Sequence, residues 1–416
     1  MRRHLLLTVI FLAAAARAAV FDLGGETVTL HVTNVLKTAA VLTNGTFVAT
    51  NGQSFAQFPT GTVTVAAGAR LVFPDDLSRN YLRVDRPGDC RMLLDGGTWE
   101  VFSHRDQDNY SHYWGYGGDP NVRPVLEVCR DGLFHLGLPG GAMSNGPVAN
   151  RHYFTLGYYG GKVPQATLLG NDAPHGGFRF DGRIYIGLSA YGVVACTNCA
   201  FRAENIVFGS LGVINGRTGG LALLSFAGGS EVTTKGFVQG DNGTEAEVVF
   251  DDAVVRALPT EPGDAVNAQT NFFGAADYVP TYWIEPGGLA FDNNGLDVTI
   301  AKELYGEGPL FLSGTGTTRI TRDQPFTGAL VVGPSLAFRP ARNLVFAAPV
   351  VITDEAALER PPLPAGHNHV RLFSAPAFYG LTGRKDAAHR YFFTLPGRYG
   401  RELHWGKTPG TEVRVR

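Results

Sequence analysis

Along most of this chain, runs of about four to six residues rich in Val, Ile, Thr, Phe and Tyr stop at Gly, Asn, Asp or Pro. Thr27-Val28-Thr29-Leu30-His31-Val32 is one such run, and Gly61-Thr62-Val63-Thr64-Val65 leads through Ala66-Ala67-Gly68 to Ala69-Arg70-Leu71-Val72-Phe73. Others are Gly97 to Phe102, Leu133 to Leu136, Arg183 to Ile186, Glu247 to Phe250, Leu296 to Ile300 and Leu330 to Val332. Apolar residues at helical spacing are nearly absent. Thr353 to Arg360 is the exception, where Thr353 or Asp354 would cap about two helical turns and Pro361 would stop them. A chain punctuated this often has no room for long helices, and the expected class is all-β.

Two features select among all-β architectures. One phrase recurs, in which glycine and a small residue precede an aromatic or aliphatic that opens a strand. It is written Asn44-Gly45-Thr46-Phe47, Asp95-Gly96-Gly97-Thr98-Trp99, Asp131-Gly132-Leu133-Phe134, Pro174-His175-Gly176-Gly177-Phe178 and Pro286-Gly287-Gly288-Leu289. Each coil of a β-helix needs such a phrase, because glycine and Asn or Asp turn the corner and the strand stacks on its neighbour. The second feature is length: 416 residues are many for one sandwich, whereas coils of ~20–25 residues accommodate them without a boundary. The expectation is a β-helix, a solenoid of stacked coils, with a C-terminal β cap. A β-sandwich N-terminal part followed by a solenoid is the alternative, because the phrase is irregularly spaced in the first half.

The ends and the cysteines suggest a compartment. Met1-Arg2-Arg3-His4 is a positive head, Leu5 to Ala16 is apolar, and Ala16-Arg17-Ala18 offers small residues where a signal peptidase reads. That is the layout of a secretory signal peptide, and the run is shorter than the ~20 residues of a membrane span. The expected division is signal at 1–18, solenoid stack at 19–350, and linker plus cap at 351–416. The destination is secreted or cell-surface, with the periplasm as a further option. Behind a signal peptide, Cys90, Cys129, Cys196 and Cys199 read as disulfide candidates, with Cys90–Cys129 as the natural partner of the CxxC pair; four cysteines allow three pairings. With 35 basic against 37 acidic side chains and no basic block, a nucleic-acid partner is not expected.

From Glu285 the text resembles the autotransporter-associated β-strand repeat of secreted bacterial proteins. The resemblance is carried by Gly287-Gly288-Leu289-Ala290-Phe291, Val298-Thr299-Ile300 and Leu304 to Leu310. It continues through Ser313-Gly314-Thr315-Gly316-Thr317, Phe326 to Gly333 and Leu336-Ala337-Phe338. It covers residues 285–338, about one-eighth of the chain and the scale of one repeat unit. It implies a right-handed parallel β-helix in a secreted or surface-displayed passenger, and it implies no catalytic residues. The many alternating strands of ~10 residues that would form a membrane barrel do not follow; Val370 to Phe373, Arg390 to Leu395 and Glu412 to Val415 read instead as closing strands of a cap.

Chemistry is sparse. A glycoside hydrolase needs two facing carboxylates, but adjacent Asp75-Asp76 and Asp251-Asp252 would point to opposite faces of a strand and suit turns better. The Gly-His-Gly and Arg-Ile-Lys signatures of polygalacturonase-like families are absent. The densest polar–aromatic stretch runs from His104 to Tyr116. Within it Tyr110, Tyr113, Trp114 and Tyr116 are the carbohydrate-contact candidates, since aromatic faces stack on sugar rings. The other reading is a loop whose aromatics fold back on the coils. His104, Asp106, Asp108 and His112 lack metal-ligand spacing, and His367-Asn368-His369 reads as a solvated turn. The expectation is therefore an exported, non-enzymatic solenoid for surface display, adhesion or matrix contact, without metal or cofactor. A polysaccharide or another cell-surface ligand is its expected partner. The competing readings are a carbohydrate-active β-helix enzyme, lyase or glycosidase, and a carbohydrate-binding protein.

Overall fold

The computed structural model describes residues 19–31, 40–50, 61–73, 83–84, 90–102, 111–116, 123–137, 153–158, 165–209, 219–240, 243–260, 271–274 and 280–407. The candidate signal segment 1–18, Asp75-Asp76, the stretch from His104 to Tyr110 and the closing strand at 412–415 lie outside these residues. What is described is all-β with long parallel pairing, an arrangement consistent with a β-solenoid. Among the described residues the helical structure is one 3₁₀ turn, Glu355–Ala357, whose cap Asp354 accepts from the Ala356 N–H. The Thr353–Arg360 segment thus winds tighter and shorter than its sequence suggests.

Along the stack, strands pair in parallel with the strand one coil later, and these pairings sort into three faces. Face one begins with Ala19–Asp22, Ala40–Thr43, Gly61–Ala66, Cys90–Asp95 and Val125–Cys129. Face two begins with Thr27–His31, Gly45–Thr50, Ala69–Phe73, Thr98–Phe102 and Leu133–Gly137. Face three begins with Arg83–Val84, Ser111–Tyr116 and Tyr153–Tyr158. The long strands Gln165–Ile186 and Tyr191–Phe208 then bend through all three faces with register shifts at the corners. These pairings are parallel from the first strand onward, so the alternative of an N-terminal β-sandwich is replaced: a sandwich would pair its strands antiparallel.

The recurring glycine phrase marks the entry to face two. Its aromatics fall into one inward column that runs Phe47, Leu71, Trp99, Phe134, Phe178, Phe201, Val232, Val255, Phe291, Leu312, Val332 and Ile352, each opposite the next. All twelve side chains belong to the buried core cluster. Burial of such side chains contributes ~1.5–3 kcal/mol each before entropy is set against it. Gly177 shows why glycine precedes the column. Its φ is 84° and a Cβ there would run into the Ala200 carbonyl of the next coil. The irregular spacing of the phrase in the first half comes from coils of unequal length: Val63 pairs with Met92, but Val125 pairs with Thr167.

From Leu289 the coils become regular. Leu310, Leu330 and Val350 stack in register on face two, at intervals of about 20 residues. Phe326 returns the chain to the preceding coil, its N–H donating to the Leu304 carbonyl at 3.0 Å. The last parallel pairings join Leu344–Val345 to His369–Ala375 and Val350–Ile352 to Phe378–Tyr379, and beyond them the geometry changes. His369–Ala375, Gly400–Gly406 and Tyr391–Gly397 form an antiparallel sheet.

Candidate glycan-contact site

Trp114 is placed differently from the expectation. Alternation along Ser111–Tyr116 turns it inward, where it is fully buried opposite Val84 and Leu156 and edge-on to Trp99, with ring centroids 6.1 Å apart. It is core and cannot stack on a sugar. Tyr113 and Tyr116 lie on the same strand, opposite Thr155 and Tyr158, and Tyr110 lies outside the described residues.

The four cysteines are free thiols. Cys90 stands opposite Gly61 and Cys129 opposite Asp95. They therefore sit at opposite ends of neighbouring strands, roughly 16 Å apart at ~3.3 Å per residue. A disulfide spans Cα atoms roughly 4.4–6.8 Å apart, so the proposed Cys90–Cys129 pair is corrected. Burial pushes the Cys90 thiol up to about 12. Cys129 is raised by burial and by its bond to Asp95, whose Oδ1 accepts from Sγ at 3.4 Å. Cys196 and Cys199 are both buried, and Cys196 occupies the inward column of face one between Gly170 and Phe226. Burial first, and the neighbouring Cys199 second, raise the Cys196 thiol.

Carboxylates on the coils are engaged in holding neighbouring coils together. Arg70 pairs with Glu100, Arg91 with Glu127 and Arg130 with Asp95. Arg256 bridges Glu231 at 2.7 Å and Asp292 at 3.1 Å. Asp251 accepts from the Gly287 N–H at 2.8 Å, and Asp252 follows it at a φ of 58°, so this pair makes a turn. Among the ion-paired carboxylates of the described residues, Asp181 has the most enclosed side chain; it accepts from His135 at 2.8 Å and from Arg179 at 2.9 Å. His367 donates its N–H to the Pro364 carbonyl in a turn, whereas His369 is in a strand with its ring 4.9 Å from that of His404. Among the described residues no group of three His, Cys, Asp or Glu side chains could hold a metal ion. Among those residues, too, no helix is long and apolar enough to cross a membrane.

The exposed aromatics stand elsewhere. On Thr281–Ile284, Tyr282 and Ile284 point into the core, so Trp283 points out and is 37% exposed. One coil later Tyr305 occupies the same register position, and the two rings lie 5.6 Å apart at 44°. Parallel stacking puts like positions of successive coils side by side at roughly the ~4.8 Å strand spacing, which turns two residues distant in sequence into one platform. The row leading to it on face one is Leu169, Ala195, Ser225 and Val249, all half-buried and mostly apolar. The Tyr305 hydroxyl donates to Glu303 at 2.6 Å, and this bond, followed by burial, raises the phenol and keeps it protonated. The platform thus offers ring faces for the C–H side of a sugar and a carboxylate for its hydroxyls.

The signal for this pair is present in the sequence. Tyr282-Trp283-Ile284-Glu285 and Leu304-Tyr305-Gly306-Glu307 are equivalent positions of two coils, each with an aromatic at the outward-facing place. The chain matches no known protein family, no curated protein and no solved structure.

Proposed function

We propose that this chain is an exported, non-enzymatic β-solenoid that makes surface or matrix contact by binding glycan. In this reading the coils wind right-handed, the antiparallel sheet from His369 to Gly406 caps the stack, and residues 1–18 direct export. The segment 285–338 is then a surface-displayed repeat of the autotransporter-associated type. The observation that carries the reading is the Trp283–Tyr305 platform. The engagement of Glu100, Glu127, Glu231 and Asp292 in ion pairs between coils supports binding over turnover. The test is native electrophoresis through gels cast with acidic or neutral polysaccharides, alongside size analysis of the same polymers after incubation with the protein. Retarded migration with unchanged polymer length is expected. Reproducible shortening of a polymer, abolished by one carboxylate substitution, would replace this reading with an enzymatic one.

A further inference from the structure

At the C-terminal end of the stack, a cavity of about 480 Å³ opens between the 3₁₀ turn and the segment 380–386. Its volume is in the range of a small-molecule site. Its wall holds three carboxylates and three cations, and the two sets are in different states. Asp354 Oδ1 accepts from the Ala356 N–H at 2.8 Å, and Glu355 Oε1 accepts from the Thr382 and Gly383 N–H groups. Asp386 accepts from the Ala388 and Arg390 N–H groups and pairs with the Arg390 guanidinium at 2.8 Å. Backbone hydrogen bonding from Arg390 leads the effects that hold this carboxyl below its usual range. The acceptors are therefore committed to shaping the wall.

The donors are not committed. Arg360 lies 5.9 Å above the Phe392 ring and 5.6 Å above Trp405, and Lys385 Nζ lies 5.6 Å above Tyr391. Arg360, Arg384 and Lys385 form no ion pair among the described residues, and all three are exposed. Trp405 adds an independent observation. It is 1% exposed, it lines the cavity, and among the described residues its indole N–H has no acceptor. A buried donor left without an acceptor is destabilising, and a bound oxygen would remove that cost.

We infer that this cavity binds a carboxylate-bearing sugar, a uronic acid residue of an acidic glycan. Arg384 and Lys385 would take the carboxylate and Trp405 a ring or hydroxyl oxygen. The inference rests on the glycan-binding reading and adds an acidic ligand and a second place for it. It is tested with the full chain by calorimetric titration of glucuronate, glucose and inorganic phosphate at constant ionic strength. The four tryptophan indole N–H signals are followed by NMR in parallel, with Trp405 assigned through Trp405→Phe. Glucuronate should bind and move the Trp405 signal, glucose should do neither, and Arg384→Gln/Lys385→Gln should weaken binding at least tenfold. If Trp405→Phe fails to fold, the calorimetric comparison with the double variant carries the test alone. Absence of glucuronate binding, or equal binding by the double variant, would overturn the inference. Phosphate binding as tightly as glucuronate would also overturn it, by making this a simple anion site. Neutral oligosaccharides that move only the Trp283 signal would leave the glycan reading standing whatever happens at Trp405.

Discussion

Gly170 lies beside the Cys199 thiol: a Cβ built on Gly170 would fall onto Cys199 Sγ and within 3.0 Å of its Cβ. Gly170 occupies the inward column of face one, between Val128 and Cys196, where neighbouring coils carry side chains. The gap it leaves is filled by the CxxC of the next coil. Gly170→Ala should therefore destabilise the chain by about 1–3 kcal/mol through overpacking. The loss should be smaller when Cys199→Ala is already present. Urea unfolding of the four variants measures the coupling, and an equal loss in both backgrounds would contradict the contact.

The column of face two makes a second prediction. Leu312 is 1% exposed between Phe291 and Val332. Leu312→Ala should cost about 2–5 kcal/mol, the range for a buried leucine whose cavity collapses only partly. Phe311→Ala, one residue away on the outer face and 43% exposed, should change stability by about 0.5 kcal/mol or less. Chemical denaturation of both variants tests whether inside and outside have been assigned correctly.

Thiol chemistry tests the register independently. Cys90 and Cys196 are buried and their thiols are pushed up by that burial. Neither should react with an aromatic disulfide reagent at pH 8 until denaturant is added, because the thiolate is the reactive form. Non-reducing peptide mapping should find no peptide joining Cys90 to Cys129. Such a peptide in folded protein would show that the pairing of Cys90–Asp95 with Val125–Cys129 is wrong.

The all-β class and the stacked coils were legible because the glycine phrase is a local requirement of each corner. Phe47, Trp99, Phe134 and Phe178, picked out by that phrase, fall in one column, with Leu71 between the first two. The site was less legible. Trp114 sits in a stretch dense with polar residues, but strand alternation, and not composition, decides which side it faces, and it faces in. Trp283 and Tyr305 form a platform only once the register is known, since 22 positions separate them in sequence and one coil separates them in space. The Cys90–Cys129 pairing failed for the same reason: spacing along the chain does not give position along a strand.

Two titrations predict how stability depends on pH. Burial alone would raise the Asp181 carboxyl, but the bond and charge of His135, with those of Arg179, outweigh it and hold the group below its ordinary 3.8. A carboxyl depressed in the folded state stabilises above its unfolded pKa, and that contribution is lost as pH falls through the folded value. Burial lowers His404 below 6.5, with His369 and Arg371 acting in the same direction and Glu402 opposing. A histidine held neutral by folding likewise loses its contribution as pH falls below 6.5. Urea midpoints should therefore decline in two stages on acidification, the first beginning below pH 6.5 and the second below pH 3.8. Asp181→Asn should weaken the second stage and leave the first.

The most direct measurement is the affinity of Trp283→Ala/Tyr305→Ala for a neutral oligosaccharide that binds the unaltered chain. Trp283 is well exposed and Tyr305 half-buried, so the double variant should unfold at nearly the same denaturant concentration. Removing two stacking faces, each worth about 0.5–1.5 kcal/mol, should weaken binding by about fivefold or more. Full affinity in a stably folded double variant would contradict the platform and with it the account of how this solenoid makes contact.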